Sequence, residues 1–214
     1  MKMSSNLFYA FCRWLSQILL KLMCRLKVIG KENLPQRGGY IIASNHLSYL
    51  DPLVVGVGCP RQIYFMARKT LFRNRLFAKL LTSLDVFAVD EQGTSLGAVK
   101  ESLSRLSQGR VVALFPEGTR SKDGYLKEAK WGVGFLALKS NVPVIPARII
   151  GTDQALPIGA KFVRFRPVRL YFGQSLKFEK DSLAEKQNDY SEISRLIMEK
   201  IASLGTRTDE SNRS

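Results

Sequence analysis

The chain has 214 residues, the length of one domain with at most a small appendage, and a net charge of +15 from 33 Lys and Arg against 18 Asp and Glu. Its 45% hydrophobic content is enough for a core, so wholesale disorder, collagen-like repeats and a disulfide-stapled miniprotein are excluded. No run of about 18 apolar residues occurs, and we expect no plain transmembrane span. The positive charge predicts an anionic partner: a nucleic acid, a phospholipid surface, or a phosphorylated or acidic substrate.

The first predicted element is an amphipathic helix within residues 1–26. Arg13 interrupts any signal-peptide core, and no A-x-A site follows, so we expect no cleaved signal. A wide apolar arc with aromatic residues, opposite a basic stripe, is typical of a helix in a bilayer interface, and a helix packed on the core remains the alternative. The arc comprises Leu7, Phe11, Trp14, Leu15, Ile18, Leu19, Leu22, Met23 and Leu26, and the opposite stripe Asn6, Arg13, Gln17, Lys21 and Cys24.

Strand and helix patterns alternate along the rest of the chain. This alternation predicts an α/β layered domain over residues 27–205, with a mainly parallel sheet and flanking helices. The polar residues 206–214 are expected to form a disordered tail after a C-terminal cap at Gly205. The predicted strands are 39–44, 62–67, 85–89, 111–115, 142–150 and 166–172, and the predicted helices lie near 70–82, 94–107, 131–139 and 189–204.

The positive charge is concentrated in two stretches that contain no acidic residue. Pro52–Leu84 holds six Lys or Arg residues, and Gln154–Phe178 holds five. Two such stretches in one domain favour a coherent positive surface. DNA is the rival partner, but no helix-turn-helix, zinc-finger or RNP-like signature occurs, so we expect no nucleic-acid partner.

The three cysteines, Cys12, Cys24 and Cys59, are widely scattered and form no CxxC pair. With a single histidine in the chain there is no zinc-type constellation, so we expect reduced thiols and no metal site.

The single histidine, His46, lies in the segment NHLSYLD, directly after the predicted strand 39–44. The C-terminal ends of strands are where open α/β sheets place their sites. Asp51 follows five residues later at a predicted helix start, from which its carboxylate can reach back to the imidazole. Such a pair acts as a general base, although a structural histidine and a helix-capping aspartate have the same spacing.

A second candidate element, FPEGTRS, follows the predicted strand 111–115. Gly118 permits a tight turn with exposed backbone N–H groups, and Thr119 adds a hydroxyl. Arg120 supplies a guanidinium suited to bidentate phosphate binding. An ordinary turn with a surface arginine is the alternative for this segment.

Together, NHLSYLD and FPEGTRS resemble the first and third signature blocks of the lysophospholipid/glycerol-phosphate acyltransferase family, the NHx4D acyltransferases. The segment VPVIP, residues 142–146, is similar to the fourth block. The resemblance covers residues 25 to 175, with the blocks in the family order.

The second block of the family, Lys-x2-Leu-x6-Gly-x12-Arg, is only partly matched. Its four positions fall on Arg68, Leu71, Ala78 and Glu91, of which only the leucine is unchanged. The resemblance implies that the arginine replaced by Glu91 helps to hold the phosphate of the acceptor, and Lys69 could serve instead. An acceptor other than 1-acylglycerol-3-phosphate therefore stays open.

The resemblance implies direct transfer of an acyl group from acyl-CoA or acyl-acyl carrier protein to the hydroxyl of 1-acylglycerol-3-phosphate, without a cofactor. His46 would act as the general base and Asp51 would orient it. Arg120, the backbone of residues 118–119, and Arg68 or Lys69 would hold the phosphate, while Glu117 would contact the glycerol or brace the turn. The expected location is the cytoplasmic face of a membrane, with peripheral or monotopic attachment.

Three alternatives remain at the level of the sequence. One is a family member that acts on another lysolipid or on glycerol-3-phosphate. The second is a non-catalytic basic protein that binds membranes or nucleic acid. The third is a thioester hydrolase, which needs only water as the acceptor and has no use for a phosphate-binding motif. The oligomeric state is open.

Overall fold

A computed structural model describes residues 2–68, 86–89, 96–178 and 187–206. The predicted helix 70–82 and most of the predicted tail lie outside these ranges. The described helices are α1 (Lys2–Cys24), α2 (Asp51–Gly58), α3 (Leu96–Ser107), α4 (Gly132–Ser140), the single turn α5 (Thr152–Ala155) and α6 (Gln187–Ser203). The described strands are β1 (Lys27–Ile29), β2 (Tyr40–Ser44), β3 (Ile63–Arg68), β4 (Val86–Val89), β5 (Val111–Leu114), β6 (Val144–Ile150) and β7 (Arg169–Phe172).

The described strands form one seven-stranded sheet in the order β1-β7-β6-β2-β5-β3-β4. Strands β6, β2, β5, β3 and β4 are mutually parallel, whereas β7 runs antiparallel to β6 and carries β1 parallel to itself. The prediction of an α/β domain around a mainly parallel sheet is confirmed. The three-residue strand β1 was not predicted, because so short an element carries no periodicity.

Alternate residues of the central strands point into two hydrophobic clusters, one on each face of the sheet. On the first face, Tyr40 and Ile42 pack with side chains of α1 and α2, including Leu20 and Val54. On the second face, Ile41 and Ala43 pack with α3, α4 and α6, whose contributions include Leu106, Leu136 and Ile193. The molecule is therefore a three-layer α/β structure, and helices cover both sides of a sheet whose central strands are fully buried.

Helix α1 packs on α2. Its amphipathic pattern alone would place the apolar arc against the protein and the polar stripe toward solvent, and the structure differs from this. Cys24, which belongs to the predicted polar stripe, is fully buried, and Arg13 from the same stripe donates to the carbonyl of Pro60 at 3.3 Å. Part of the predicted apolar arc instead faces outward, since Phe11, Trp14, Leu15, Leu19 and Leu22 are exposed. Met23 and Leu26, at the C-terminal end of the same arc, pack against the first cluster. Among the described helices none is both long and apolar enough to cross a bilayer.

Three adjacent parallel strands, β6, β2 and β5, end at the same edge of the sheet. The register pairs Ala43 with Leu114 on one side of β2 and with Pro146 on the other. The chain therefore delivers the segments that follow these strands to one place, and those segments include both sequence motifs.

Candidate active site

The two residues of the predicted general-base pair are in direct contact. The Nδ1 atom of His46 lies 2.8 Å from Oδ2 of Asp51. The carboxylate is fully buried, whereas the imidazole keeps 18% of its side-chain surface exposed. Asp51, the first residue of α2, thus contacts the imidazole of His46 as predicted, and the ring stays accessible to a substrate.

Three further groups hold the Asp51 carboxylate. The backbone N–H groups of Leu47 and Ser48 donate to Oδ2 at 2.6 and 2.7 Å, and the hydroxyl of Thr152 donates to Oδ1 at 2.6 Å. Both oxygens are therefore engaged, which fixes the rotation of the carboxylate and with it the plane of the imidazole. Thr152 lies 101 positions away in the chain and arrives because β6 ends beside β2.

The FPEGTRS segment is built directly against His46. Phe115 stacks on the imidazole, with ring centroids 4.0 Å apart and planes inclined by 16°. The backbone N–H of His46 donates to Oε1 of Glu117 at 2.9 Å, and the N–H of Ser121 donates to the carbonyl of His46 at 2.8 Å. The two motifs thus form one hydrogen-bonded unit across β2 and β5.

Glu117 braces this unit. Its second carboxylate oxygen accepts a hydrogen bond from the backbone N–H of Lys127 at 3.2 Å, so one side chain ties the histidine loop to the far end of the turn. The side chain is buried, and this desolvation raises the pKa of Glu117, although the two N–H donors act in the opposite direction. Of the two roles implied by the resemblance, the observed contacts are those of bracing the turn.

Arg120 is positioned by an aromatic residue of the first motif. Its guanidinium lies 3.6 Å from the ring centroid of Tyr49, which is itself exposed. A guanidinium stacked on an aromatic ring can still direct its N–H groups, which lie in its own plane, toward an anion. The ammonium of Lys127 donates to the carbonyl of Arg120 at 3.0 Å, so a second cation is close to the same turn.

Gly118 and Thr119 were expected to present backbone N–H groups to a phosphate, and the structure changes this expectation for Gly118. Gly118 has φ 69°, as a tight turn requires, but its N–H donates to the carbonyl of Phe115 at 2.9 Å. The expectation that this N–H is exposed for a phosphate is therefore wrong, because the turn itself uses it. Thr119 is exposed. A Cβ on Gly118 would lie 2.8 Å from Cε of Lys130, so the glycine lets this lysine cross the turn.

The predicted residues of the second block remain separate from this assembly. Arg68 is the last residue of β3, where its backbone pairs with Val89, and its side chain lies outside the described part. Lys69 and Glu91 also lie outside the described residues. Within the described ranges, no group of three or more His, Cys, Asp or Glu side chains is arranged to hold a metal ion.

Five residues of the site were missed at the sequence level: Phe115, Tyr49, Thr152, Lys127 and Lys130. Phe115 and Tyr49 lie inside the two motifs, so their positions beside a histidine and an arginine offered a signal for stacking. Thr152, Lys127 and Lys130 offered none. Only the sheet order brings Thr152 to Asp51, and only the turn geometry brings Lys127 to Arg120 and Lys130 to Gly118.

Comparison with known proteins agrees with this geometry. The acyltransferase family model matches residues 25–150 of the chain. A 1-acyl-sn-glycerol-3-phosphate acyltransferase from Bacillus subtilis is 29% identical over 204 residues, which covers 94% of this chain and 99% of that protein. A protein of the same name from Borreliella burgdorferi is 27% identical, with 84% of this chain and 73% of that protein covered.

The fold is also that of a solved structure. The crystal structure of a 1-acyl-sn-glycerophosphate acyltransferase from Thermotoga maritima superposes with a TM-score of 0.74, at 21% identity, over 96% of this chain and 83% of that one. The likeness extends over almost the whole chain, and the family match spans both motifs. The chain belongs to the acyltransferase family.

Proposed function

We propose that this acyltransferase moves a fatty acyl group from an acyl thioester to the free hydroxyl of 1-acylglycerol-3-phosphate, a step of phospholipid synthesis. The observation that carries the proposal is the contact between the two motifs. His46 bonds to the buried Asp51 carboxylate, and Arg120, a cation suited to phosphate, stacks on Tyr49 of the loop that holds His46. The names of the relatives from Bacillus subtilis and Borreliella burgdorferi point to the same acceptor.

In the proposed reaction His46 accepts the proton of the acceptor hydroxyl. With Nδ1 donating to Asp51, the neutral imidazole presents Nε2 as its proton-accepting atom. The hydroxyl oxygen attacks the thioester carbonyl while its proton passes to Nε2, and Asp51 stabilises the imidazolium that forms. The tetrahedral intermediate then expels the thiolate, which takes the proton from the His46 imidazolium and leaves as the free thiol, so the neutral base is restored and the acyl group stays on the acceptor oxygen.

The positive charges around the FPEGTRS turn favour this turn as the site that holds the phosphate of the acceptor. Of the four cations in residues 115–130, Arg120, Lys127 and Lys130 contact the loop or the turn, and Lys122 is exposed. Glu117 is turned inward onto backbone N–H groups. On the resemblance, Arg68 or Lys69 would add a further cation. Holding the phosphate places the reacting hydroxyl near His46, which supplies the entropic part of the rate gain.

A substrate panel tests this proposal. The purified chain should be assayed with acyl-CoA and with acyl-acyl carrier protein against 1-acylglycerol-3-phosphate, glycerol-3-phosphate and zwitterionic lysolipids. We expect the highest kcat/KM with 1-acylglycerol-3-phosphate. Arg120→Gln should raise KM for phosphate-bearing acceptors, whereas Lys122→Gln, an exposed cation on the same turn, should leave it unchanged. Equal KM values in both variants would contradict a phosphate-binding role for Arg120.

A second acceptor deserves testing because Glu91 stands where the family has an arginine. A carboxylate there would favour an acceptor with a cationic or zwitterionic head group. Glu91→Arg should then lower KM for 1-acylglycerol-3-phosphate and weaken activity on the competing acceptor. An unchanged acceptor profile would separate Glu91 from substrate choice.

We further propose that the enzyme is attached to the cytoplasmic face of a membrane through α1, lying in the interface. Its outward face carries Phe11, Trp14, Leu15, Leu19 and Leu22, while the inward face already packs on α2. An interfacial helix buries such a face among lipids. Trp14→Ser with Leu22→Ser should release the chain from vesicles in a sedimentation assay. Leu196→Ser, an exposed leucine on α6, is the control, and equal release by both would remove α1 as the anchor.

A further inference from the structure

The loop between α5 and β7 exposes large apolar side chains at high density. Phe162 is 82% exposed and Phe165 is 75% exposed, and Ile158 contributes a third exposed apolar group within eight residues. Single exposed apolar residues are ordinary on protein surfaces, but two phenylalanines this open in one short loop are costly in water. Residues 157–167 are called the aromatic loop below.

Cations alternate with these aromatic side chains. Lys161, Arg164 and Arg166 lie within the aromatic loop and are all exposed, and no acidic residue occurs between Gln154 and Phe178. Aromatic side chains that can enter a headgroup region, next to long basic side chains that can reach lipid phosphates, match the requirements of an anionic bilayer surface.

The aromatic loop is held in shape from within. The N–H of Arg164 donates to the carbonyl of Ala155 at 2.7 Å, and the N–H of Ala160 donates to Pro157 at 3.0 Å. Val163 turns inward and packs against the cluster on the first face of the sheet. Since Val163 is anchored inward, its neighbours Phe162 and Arg164 are directed outward, so the exposure of Phe162 follows from the fold of the loop.

The loop also joins the two regions already described. At its start, the hydroxyl of Ser48 in the NHLSYLD segment donates to the carbonyl of Leu156 at 2.8 Å. At its end, the N–H of Val168 donates to the carbonyl of Cys24, the last residue of α1, at 2.8 Å. The aromatic loop is therefore continuous with the interfacial helix on one side and with the catalytic loop on the other.

We infer that the aromatic loop is a second membrane-insertion element, in which Phe162 and Phe165 enter an anionic phospholipid bilayer while Lys161, Arg164 and Arg166 contact lipid phosphates. This inference rests on the proposed membrane attachment. Two contacts with the bilayer, α1 and the loop, fix the rotation of the domain about α1, and the catalytic loop bonded to Leu156 is thereby oriented toward the lipid surface.

A fluorescent probe tests the insertion directly. In a Cys12→Ser background, where Cys24 and Cys59 are buried, an environment-sensitive dye is attached to Phe162→Cys or to Phe165→Cys. With phosphatidylglycerol-containing vesicles we expect a blue shift and quenching by nitroxide-labelled lipids. The same dye on Leu196→Cys, on α6 across the sheet, should show neither. A vesicle-bound chain whose loop dyes behave like the Leu196→Cys dye overturns the inference and leaves attachment by α1 intact.

Binding strength provides the second measurement. Phe162→Ser with Phe165→Ser should reduce the partition coefficient for anionic vesicles by about tenfold or more, since each phenylalanine loses apolar burial in the lipid. The thermal unfolding midpoint should not change, because both side chains are exposed in the folded chain. Unchanged partition overturns the inference, and failure of the native chain to bind vesicles at all overturns it together with the proposed attachment.

An acidic carrier protein is the other occupant that this chemistry would fit. If the double serine variant loses activity only with acyl-acyl carrier protein, while acyl-CoA activity and vesicle partition stay unchanged, the loop is a protein-docking surface and the membrane inference is wrong. Parallel loss of vesicle partition, with equal effects on both donors, supports insertion.

Discussion

Two regions of the molecule show opposite exceptions to the usual burial of apolar groups and exposure of polar groups. They are the edge of the sheet that carries the candidate active site, and the outer surface formed by α1 and the aromatic loop. At the catalytic edge, polar groups such as Asp51, Asn45 and Glu117 are buried. On the outer surface, large apolar groups such as Leu22 and Phe162 are exposed. Burying a polar group without a partner and exposing a large apolar group to water are both unfavourable in free energy. The two regions differ in what offsets this.

Buried polar groups at the catalytic edge are satisfied inside the protein. The amide of Asn45 forms two hydrogen bonds with the backbone of Ile149, at 2.9 and 2.7 Å, and the Asp51 and Glu117 carboxylates accept from backbone N–H groups. No such partner covers the outer apolar side chains within the described structure, and the proposed bilayer would supply it. The described polar groups of the first region thus find their partners within the chain, whereas the exposed apolar groups of the second would be covered only at the proposed lipid surface.

The largest expected effect is at His46. Because it is the only histidine of the chain, its role has no imidazole substitute. His46→Ala should reduce acyl transfer by roughly 10²–10⁴-fold, the usual contribution of a general base. The native fold should persist, as judged by circular dichroism and thermal unfolding. A folded variant that turns over at the native rate would contradict the mechanism.

The next effect is at Thr152, whose hydroxyl donates a hydrogen bond to the Asp51 carboxylate. Thr152→Val keeps the shape and removes one hydrogen bond to a charged group, which is worth about 1.5–3 kcal/mol. We expect a drop in kcat with little change in KM, together with lower stability in urea unfolding. Thr152→Ser should recover most of the kcat, since it restores the hydroxyl. A valine variant with native kcat would make Thr152 a purely structural residue.

A smaller effect concerns the pH dependence of stability through Glu117. Burial raises the pKa of this carboxyl, so the folded chain binds its proton more tightly than the unfolded chain does. Its contribution to stability is therefore greatest below the ordinary carboxyl pKa and falls as pH rises through the raised value. The free energy of unfolding of the native chain, relative to Glu117→Gln, should decrease across that range. A difference that is constant with pH would contradict a raised pKa.

Much of this fold and site could be predicted from the sequence, and the limits have physical causes. Short β-branched runs marked six of the strands, and the positions of both motifs after β2 and β5 followed from the same pattern. The reversed direction of β7 could not be predicted, because strand direction depends on long-range pairing. The five-residue spacing predicted the His46–Asp51 contact, whereas Thr152 depends on sheet order and leaves no local signal.

Helix α1 shows a second kind of limit. Periodicity predicts an apolar arc, but it could not tell which apolar residues of α1 pack on the protein. The packed face combines Cys24 and Arg13 of the predicted polar stripe with Leu20, Met23 and Leu26. A buried cysteine behaves as a small apolar residue, and an arginine can bond to a carbonyl. The exposed members of the arc, Phe11, Trp14, Leu15, Leu19 and Leu22, have no cover from the described part of the chain.

The smallest expected effect on folding is on this outward arc, and two leucines of α1 isolate it. Leu20 is 4% exposed and packs in the first cluster, while Leu22, two positions later, is 70% exposed. In water, Leu20→Ala should cost about 2–5 kcal/mol of unfolding free energy because it leaves a cavity. Leu22→Ala should change it by no more than about 0.5 kcal/mol. With anionic vesicles the order should reverse for binding: Leu22→Ala weakens partition, whereas Leu20→Ala, once folded, binds as the native chain does. Equal losses of folding stability would show that Leu22 is covered by the protein itself, and the contrast between the two regions would then fail at α1.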